Sequence, residues 1–291
     1  MKFALIGVGL IGGSFARALR AAGKVDVITG FDTQPEALRR AVDLGVIDQA
    51  ASSAAQAVEQ ADLVMVATPV GSIGGVFHAI ASHLAPAAIV TDVGSTKAAV
   101  IEAARDELGS AFERFVPGHP IAGREHSGVD YSDVALFNDK VFVSTPVAET
   151  DVEVVHRVEA LWQSVGCRVE RMTAEEHDCV FAAVSHLPHL LAYALLAQVS
   201  AKPDAERKFA IAGTGFRDFT RIGLSSPSMW TDVCLANRHA LAVELNDYRA
   251  LLDRLQRALE AADGDTLNRV FASAVLAGRT LASSAASNGS G

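Results

Sequence analysis

The stretch KFALIGVGLIGGS, Lys2 to Ser14, constrains the fold more than any other part of the chain. An apolar run of strand type leads without a linker into Gly7, Gly9 and Gly12, a Gly-x-Gly-x-x-Gly pattern, with Leu10 and Ile11 inside it. Placed between a strand and a helix, such a turn offers bare backbone N–H groups and a helix N-terminus to a dinucleotide pyrophosphate. Asp32 lies twenty residues beyond Gly12, at the end of VITGFD, where a carboxylate takes both hydroxyls of an adenine ribose. Thr33 and Gln34 follow it rather than Arg or Lys, so a 2′-phosphate would meet an unneutralised acid, and NAD is expected over NADP. Taken singly, the glycines could serve only tight turns and Asp32 only a helix cap. Strand, glycines and acid in register favour the dinucleotide.

From Lys2 to Met172, short β-rich runs (KFALIGV, VDVITGFD, ADLVMVAT, AIVTDVG, RFVPGHP, KVFVSTP, CRVERM) alternate with helical stretches such as SFARALRAAG. That rhythm predicts an α/β domain of Rossmann type, with βαβ units on a mainly parallel sheet. After Met172 the strand pattern stops. TAEEHD opens with a capping box, Thr173 and Glu176, and a long apolar helix follows. A further helix is expected from near Ser228 to Ala262, with Leu241, Leu245, Tyr248, Leu252, Leu255 and Leu259 on one stripe. That stripe is long for a small domain to bury alone, so a two-fold homodimer is expected. The expected division is 1–172 for an NAD-binding domain, 173–282 for an all-α substrate-binding and dimerisation domain, and 283–291 for a disordered tail.

A formal net charge of −9 argues against nucleic acid or an anionic membrane as partner, because both need a basic face. Any anionic ligand must be held by local cations. Cys167, Cys179 and Cys234 form no C-x-x-C pair, which suits neither a disulfide framework nor a zinc knuckle and fits a reducing cytoplasm. The opening apolar run is too short, and too broken by glycine, for a signal peptide or a membrane span.

The loops after the strands carry the chemistry. ATPV, with Thr68 and Pro69, and TDVGSTK, with Asp92, Ser95 and Lys97, fall where strand ends meet the ligand crevice, and both are expected to face the cofactor. Ser95 reads equally well as a helix cap, and Lys97 as a solvated lysine. GHPIAGREHSG, Gly118 to Gly128, emerges on the same side, so His119 is a candidate base beside the nicotinamide. SHLPHLL sets Ser185 and His189 one turn apart, with Pro188 placed to kink the helix and open a pocket. His186 and His189 with Asp178 make a poor metal set, and no metal is expected. GTGFRDFTRIGLSSPSMW presents Arg217 and Arg221 one turn apart, either as a fork for carboxylates or as a solvated basic face.

In this order, GVGLIGGS, TDVGSTK, GHPIAG, EEHD, SHLPH and GFRDFTRI…MW resemble the prephenate and arogenate (cyclohexadienyl) dehydrogenases of tyrosine biosynthesis, over nearly the whole chain. The resemblance implies NAD-dependent oxidative decarboxylation of prephenate to 4-hydroxyphenylpyruvate, with arogenate as a possible second substrate. It implies His119 as the catalytic base and Ser95 as its hydrogen-bonding partner. It implies Arg221 on a substrate carboxylate and His189 at the substrate side chain, with Ser185, Arg217 and Trp230 in the same motifs. The chorismate mutase segment and regulatory domain that some members carry are lacking here, so regulation through them is not expected. If His189 donates its ring N–H to a ketone, prephenate is expected to outperform arogenate, with arogenate still accepted because a neutral His189 can present its other nitrogen as an acceptor. Arg124 and Glu125 are expected to guard the entrance. A β-hydroxyacid dehydrogenase would need a lysine in the helical half, where only Lys202 and Lys208 occur. An NAD-sensing module would have no need of convergent His119, Ser95 and Arg221.

Overall fold

The computed structural model describes residues 1–124 and 126–288, with side chains through 282. The chain opens as β1 (Lys2–Ile6), α1 (Leu10–Ala21), β2 (Val27–Phe31), α2 (Pro35–Asp43), β3 (Gln49–Ala50) and α3 (Ala54–Val58). It continues as β4 (Leu63–Val66), α4 (Val70–Ile80), β5 (Ile89–Asp92), α5 (Ala98–Glu107) and β6 (Phe115–Val116). The six strands form one parallel sheet in the order β3-β2-β1-β4-β5-β6. Because side chains alternate across a strand, Phe3 and Leu5 pack on one face with Phe15, Leu19 and Trp162, while Ala4 and Ile6 pack on the other with Val58 and Phe77. Each large side chain so buried stabilises the fold by about 1.5–3 kcal/mol. The strand order reverses beside β1, so the carboxyl ends of β1 and β4 flank the crevice where such sheets take ligands.

Pro117, which has no N–H for a ladder, separates β6 from β7 (Gly118–Pro120), and its carbonyl accepts the Thr145 N–H at 3.0 Å. β7, β8 (Val141–Ser144) and β9 (Arg168–Arg171) form a second sheet, with α6 (Val152–Ser164) between β8 and β9. β7 runs antiparallel to β8, and β8 parallel to β9. The strand-rich half thus divides into two sheets, and His119 lies on the smaller.

The capping box forms as expected: Thr173 Oγ1 accepts the Glu176 N–H, and Glu176 accepts the Thr173 N–H, at the start of α7 (Ala174–Phe181). The irregularity expected at Pro188 takes the form of a π-turn, Ala182–His186, which leaves Pro188 in the first turn of α8 (Leu187–Ser200), where a missing N–H is harmless. The run Ala174–Ser200 is long and apolar enough to cross a membrane by length and composition, yet His177, Asp178 and His186 are buried along it. There follow α9 (Ala205–Ala210), α10 (Thr214–Thr220), a 3-10 turn Arg221–Leu224, α11 (Pro227–Ala236), α12 (Arg238–Glu260) and α13 (Gly264–Asn288). The single helix expected from Ser228 to Ala262 is therefore broken at Asn237 (φ −108°, ψ 29°). Asn237 is buried, and its amide donates to the Asp178 carbonyl at 2.7 Å while standing 3.0 Å from His186 Nδ1.

Two compact units result, one ending at Arg238 and the other beginning at His239. In the second, α13 extends to Asn288, into the segment expected to be disordered, and residues 289–291 lie outside the described residues. Along α12, Leu241 is buried, but Leu252 and Leu259 are 46% and 67% exposed.

Candidate active site

The glycine turn is shaped by close approach. Gly7 has φ +95°, and a Cβ there would lie 2.6 Å from the Ala67 carbonyl oxygen. A Cβ on Gly12 would lie 2.6 Å from the Gly7 carbonyl oxygen, so α1 starts hard against the strand. Gly9 is the N-cap, with no side chain capping the helix, and Leu10 and Ile11 open its first turn. A Cβ on Gly9 would meet nothing within 4 Å, and the N–H groups beyond it form an uncapped helix N-terminus. The Asp32 carboxylate at the end of β2 accepts the Val8 N–H at 3.0 Å and the Gln34 N–H at 2.9 Å, one on each oxygen. Each oxygen keeps a lone pair for a ribose hydroxyl. Thr68, beside Pro69 at the end of β4, has a buried hydroxyl with no protein partner. A glycine cradle, an uncapped N-terminus, an oriented acid and an unmatched hydroxyl fit a dinucleotide.

Asp92 does not face that cradle. It is wholly buried, and its oxygens accept Lys97 Nζ at 2.5 Å, the Gly94 N–H at 2.7 Å and the Gly118 N–H at 3.2 Å. Its expected cofactor contact is replaced by a structural one. Lys97, read as a solvated lysine, is equally buried, and Nζ also donates to the Gly118 carbonyl at 2.7 Å. Burial drives its pKa down, and the Asp92 carboxylate opposes the shift. The pair grips Gly118 by both N–H and C=O and so fixes the residue before His119. Ser95 does not cap α5: Lys97 is the N-cap residue, and the Lys97 and Ala98 N–H groups go to the two Asp178 carboxylate oxygens at 2.8 and 3.0 Å.

His119 is half-buried on β7, and its Nδ1 stands 2.9 Å from His177 Nε2. His177 Nδ1 in turn stands 2.8 Å from Asp178 Oδ1. Phe181 packs against both rings, at centroid distances of 4.9 and 4.5 Å. Burial, and then the positive charge available at His177, Lys97 and His186, hold the His119 pKa well below the usual histidine value, so its imidazole is neutral at pH 7. Burial likewise lowers His177, while hydrogen bonds from His177, Lys97 and Ala98 hold Asp178 ionised despite its own burial.

The loop that begins at β7 continues into a cavity of about 770 Å³, where Gly123, Arg124 and His126 face His189, Arg221 and Ser225. Arg124 pairs with Asp133, whose N–H is donated to Ser14 Oγ on α1 at 2.9 Å. Glu125, its expected companion at the entrance, lies outside the described residues. His189 is stacked on Trp230 at 3.7 Å between centroids, 19° apart. Trp230 is buried behind that ring and supports it rather than lining the cavity. Ser185 contributes its carbonyl, which accepts from His189 Nδ1 at 2.9 Å. A carbonyl only accepts, so Nδ1 carries the proton, and burial keeps His189 neutral. The nitrogen left for a ligand is then Nε2, an acceptor, which is the second of the two roles a neutral His189 can take. Arg217 and Arg221 take different places. Arg217 is exposed and its Nε donates to the Ala212 carbonyl just past α9, at 3.2 Å, while Arg221 lines the cavity.

Sequence reasoning passed over His177, weighed Asp178 only as a metal ligand, left Lys97 between the cofactor crevice and solvent, and did not single out Asn237. The signal for the first two was present, an adjacent His-Asp pair one turn past the Thr173 cap; nothing local marks Lys97 or Asn237 as buried. Among the described residues no group of three or more His, Cys, Asp or Glu side chains could hold a metal.

The family model described as the nucleotide-binding domain of prephenate dehydrogenase matches residues 15–171, and that described as its dimerization domain matches residues 173–273. The cyclohexadienyl dehydrogenase of Zymomonas mobilis subsp. mobilis is 37% identical over 270 residues, 92% of either chain. Among solved structures, prephenate dehydrogenase from A. aeolicus in complex with hydroxyphenyl propionate and NAD⁺ matches with a TM-score of 0.89 and 36% identity, covering 96% of this chain and 98% of that one. Synechocystis arogenate dehydrogenase matches with a TM-score of 0.80 and 30% identity, covering 97% and 100%.

Proposed function

This chain belongs to the prephenate dehydrogenase family, and from that premise we propose that it is an NAD-dependent enzyme converting prephenate to 4-hydroxyphenylpyruvate in tyrosine biosynthesis, with arogenate as a second substrate. The observation that carries this reading is one loop with two ends. It starts at His119, backed by His177 and Asp178, and runs into the cavity shared by His189 and Arg221.

The residues then take the following roles. The uncapped start of α1 holds a pyrophosphate and Asp32 holds the ribose diol, with Thr68 and Pro69 beside them. When bound, NAD⁺ supplies the acceptor for the hydride leaving the hydroxyl-bearing ring carbon. His119 takes the hydroxyl proton at Nε2, so that the O–H electron pair can form a carbonyl at that carbon. The carboxylate at the opposite carbon departs as CO₂, its bonding pair enters the ring and passes on to the carbonyl oxygen, and the resulting phenolate takes a proton back from His119 Nε2 to become the phenol. Arg221 anchors a substrate carboxylate, Ser95 hydrogen-bonds near the base, and His189 meets the side chain. Since His189 offers an acceptor, the ammonium of arogenate finds a partner there, which supports arogenate as the second substrate.

We assign residues 1–172 to NAD binding and 173–282 to the helical substrate-binding and dimerisation region, acting as a homodimer in the cytoplasm. Exposed apolar side chains on α12 and α13, among them Leu252, Leu259, Phe271 and Leu276, support the dimer. The test is to offer prephenate and arogenate, each with NAD⁺ and NADP⁺, while following reduced nicotinamide and CO₂. Turnover of prephenate with NAD⁺ is expected; no turnover of either substrate with either cofactor refutes the reading.

A further inference from the structure

His119, His177 and Asp178 form a hydrogen-bonded row, and the row has a direction. Asp178 can only accept, and it is held by the first two N–H groups at the start of α5. His177 Nδ1, 2.8 Å from that carboxylate, therefore carries its ring proton. In a neutral ring Nε2 is then an acceptor, and the nitrogen 2.9 Å away from it, His119 Nδ1, must be the donor. The proton on His119 is thereby assigned to Nδ1, and Nε2 is left bare. A free histidine in water prefers the opposite form, with the proton on Nε2, and in that form the outer nitrogen cannot act as a base.

We propose that His177 and Asp178 are positioning residues that lock His119 in the Nδ1–H form and so make its Nε2 the base, a role that rests on the reading of His119 given above. The row also supports the charge that follows. When the substrate O–H bond breaks, its proton forms the Nε2–H bond of His119, and the electron pair stays on oxygen to become the new carbonyl. The resulting imidazolium donates Nδ1–H to His177, whose own Nδ1–H is already drawn toward the Asp178 carboxylate. No second proton transfer within the row is needed.

The groups packed around His119 make this specific. They are His177 with Phe181 from α7, Lys97 with its partner Asp92 from α5 and β5, and His186 from the π-turn. Lys97 and Asp92 offset one another, and His186 is pushed down to about 4 by burial, so it too is neutral at pH 7. His177 lowers the His119 pKa only when it carries a charge itself; neutral, as burial keeps it, it offers an acceptor nitrogen to a protonated His119.

The experiment uses the full chain with ¹⁵N-labelled histidine rings, alongside steady-state kinetics. The parent should show His119 as the Nδ1–H form without any substrate. His177→Phe keeps the ring volume beside Phe181 while removing both ring nitrogens, and should let His119 revert to the Nε2–H form. Its kcat should fall by about 10- to 100-fold, short of the roughly 10²- to 10⁴-fold expected for losing the base itself. KM should change less than about threefold, and the acidic limb of the kcat–pH profile should move to lower pH, because the imidazolium loses its acceptor. His177→Gln, whose side-chain carbonyl can accept from Nδ1, should restore the Nδ1–H form and part of the rate. An Nε2–H form in the parent overturns the proposal whether or not any variant folds. So does a His177→Phe protein with unchanged ring protonation, rate and pH profile. A parent with His119 in the Nδ1–H form that turns over neither substrate would refute the assigned reaction and leave the hydrogen-bonded row standing.

Discussion

Replacing Lys97 by methionine should destabilise the first compact unit far more than an ordinary lysine substitution. Lys97 Nζ and the Asp92 carboxylate are both fully buried, 2.5 Å apart, and Nζ also serves the Gly118 carbonyl. Methionine fills much of the lysine stem but leaves the carboxylate with only the Gly94 and Gly118 N–H groups. Removing one partner of a buried pair costs about 3–5 kcal/mol, because the remaining charge stays out of water. An unfolding entropy of about 2.1 cal/mol/K per residue over a unit ending at Arg238 gives roughly 0.5 kcal/mol/K. The expected fall in Tm is therefore about 6–10 °C. Adding Asp92→Asn should return part of that loss, since the buried charge is then gone and the amide oxygen still accepts one N–H. A coupling of at least about 2 kcal/mol between the two substitutions should appear in a calorimetric double-mutant cycle. A drop of less than about 2 °C for Lys97→Met, or strict additivity in the cycle, would show that the pair does not hold Gly118 in the way argued.

Three further outcomes are expected. Asp32→Ala should narrow or reverse the preference for NAD⁺ over NADP⁺, measured as the ratio of kcat/KM values, since the repulsion of a 2′-phosphate is removed; an unchanged ratio would place that discrimination elsewhere. Arg221→Ala should raise the substrate KM by about 10- to 100-fold, as befits a charged hydrogen bond of about 1.5–3 kcal/mol, while sparing the KM for NAD⁺; a selective effect on NAD⁺ would move it to the cofactor side. His189→Ala should lose more kcat/KM on arogenate than on prephenate, because the lost group is an acceptor, and lowering the pH below the depressed pKa of His189 should shift the parent's preference toward prephenate, as the protonated ring donates to the ketone and repels the ammonium. Equal losses on both substrates, with a preference independent of pH, would refute that assignment.

What the chain discloses locally was legible: the glycine turn, Asp32, the capping box at Thr173 and the change from strands to helices all follow from neighbours in sequence. The loop carrying His119 was legible for the same reason. The errors lie where distant residues decide. Asp92 looks like a crevice acid until Lys97 is seen folded back beneath it, and Lys97 looks solvated until Gly118 closes over it. The helix expected through Asn237 breaks because a buried amide bonds the Asp178 carbonyl, 59 positions away. The direction of the His189 hydrogen bond depends on which nitrogen meets the Ser185 carbonyl, a matter of rotamer rather than of residue type.

Asp178 gives the molecule a particular kind of indivisibility. Its carboxylate closes the N-terminus of α5 and, through His177, sets the proton on His119, so a helix cap and a base assignment are one chemical event. A chimera that borrowed the nucleotide-binding half of another dehydrogenase would inherit a working glycine turn and could still fall silent. If the borrowed α5 brought a serine or aspartate at position 97, Asp92 would lose its buried cation and the Gly118 carbonyl its donor, so the residue before His119 would no longer be held. Grafts between such enzymes should therefore be matched first at position 97, where one helix supplies no cap of its own and another supplies it.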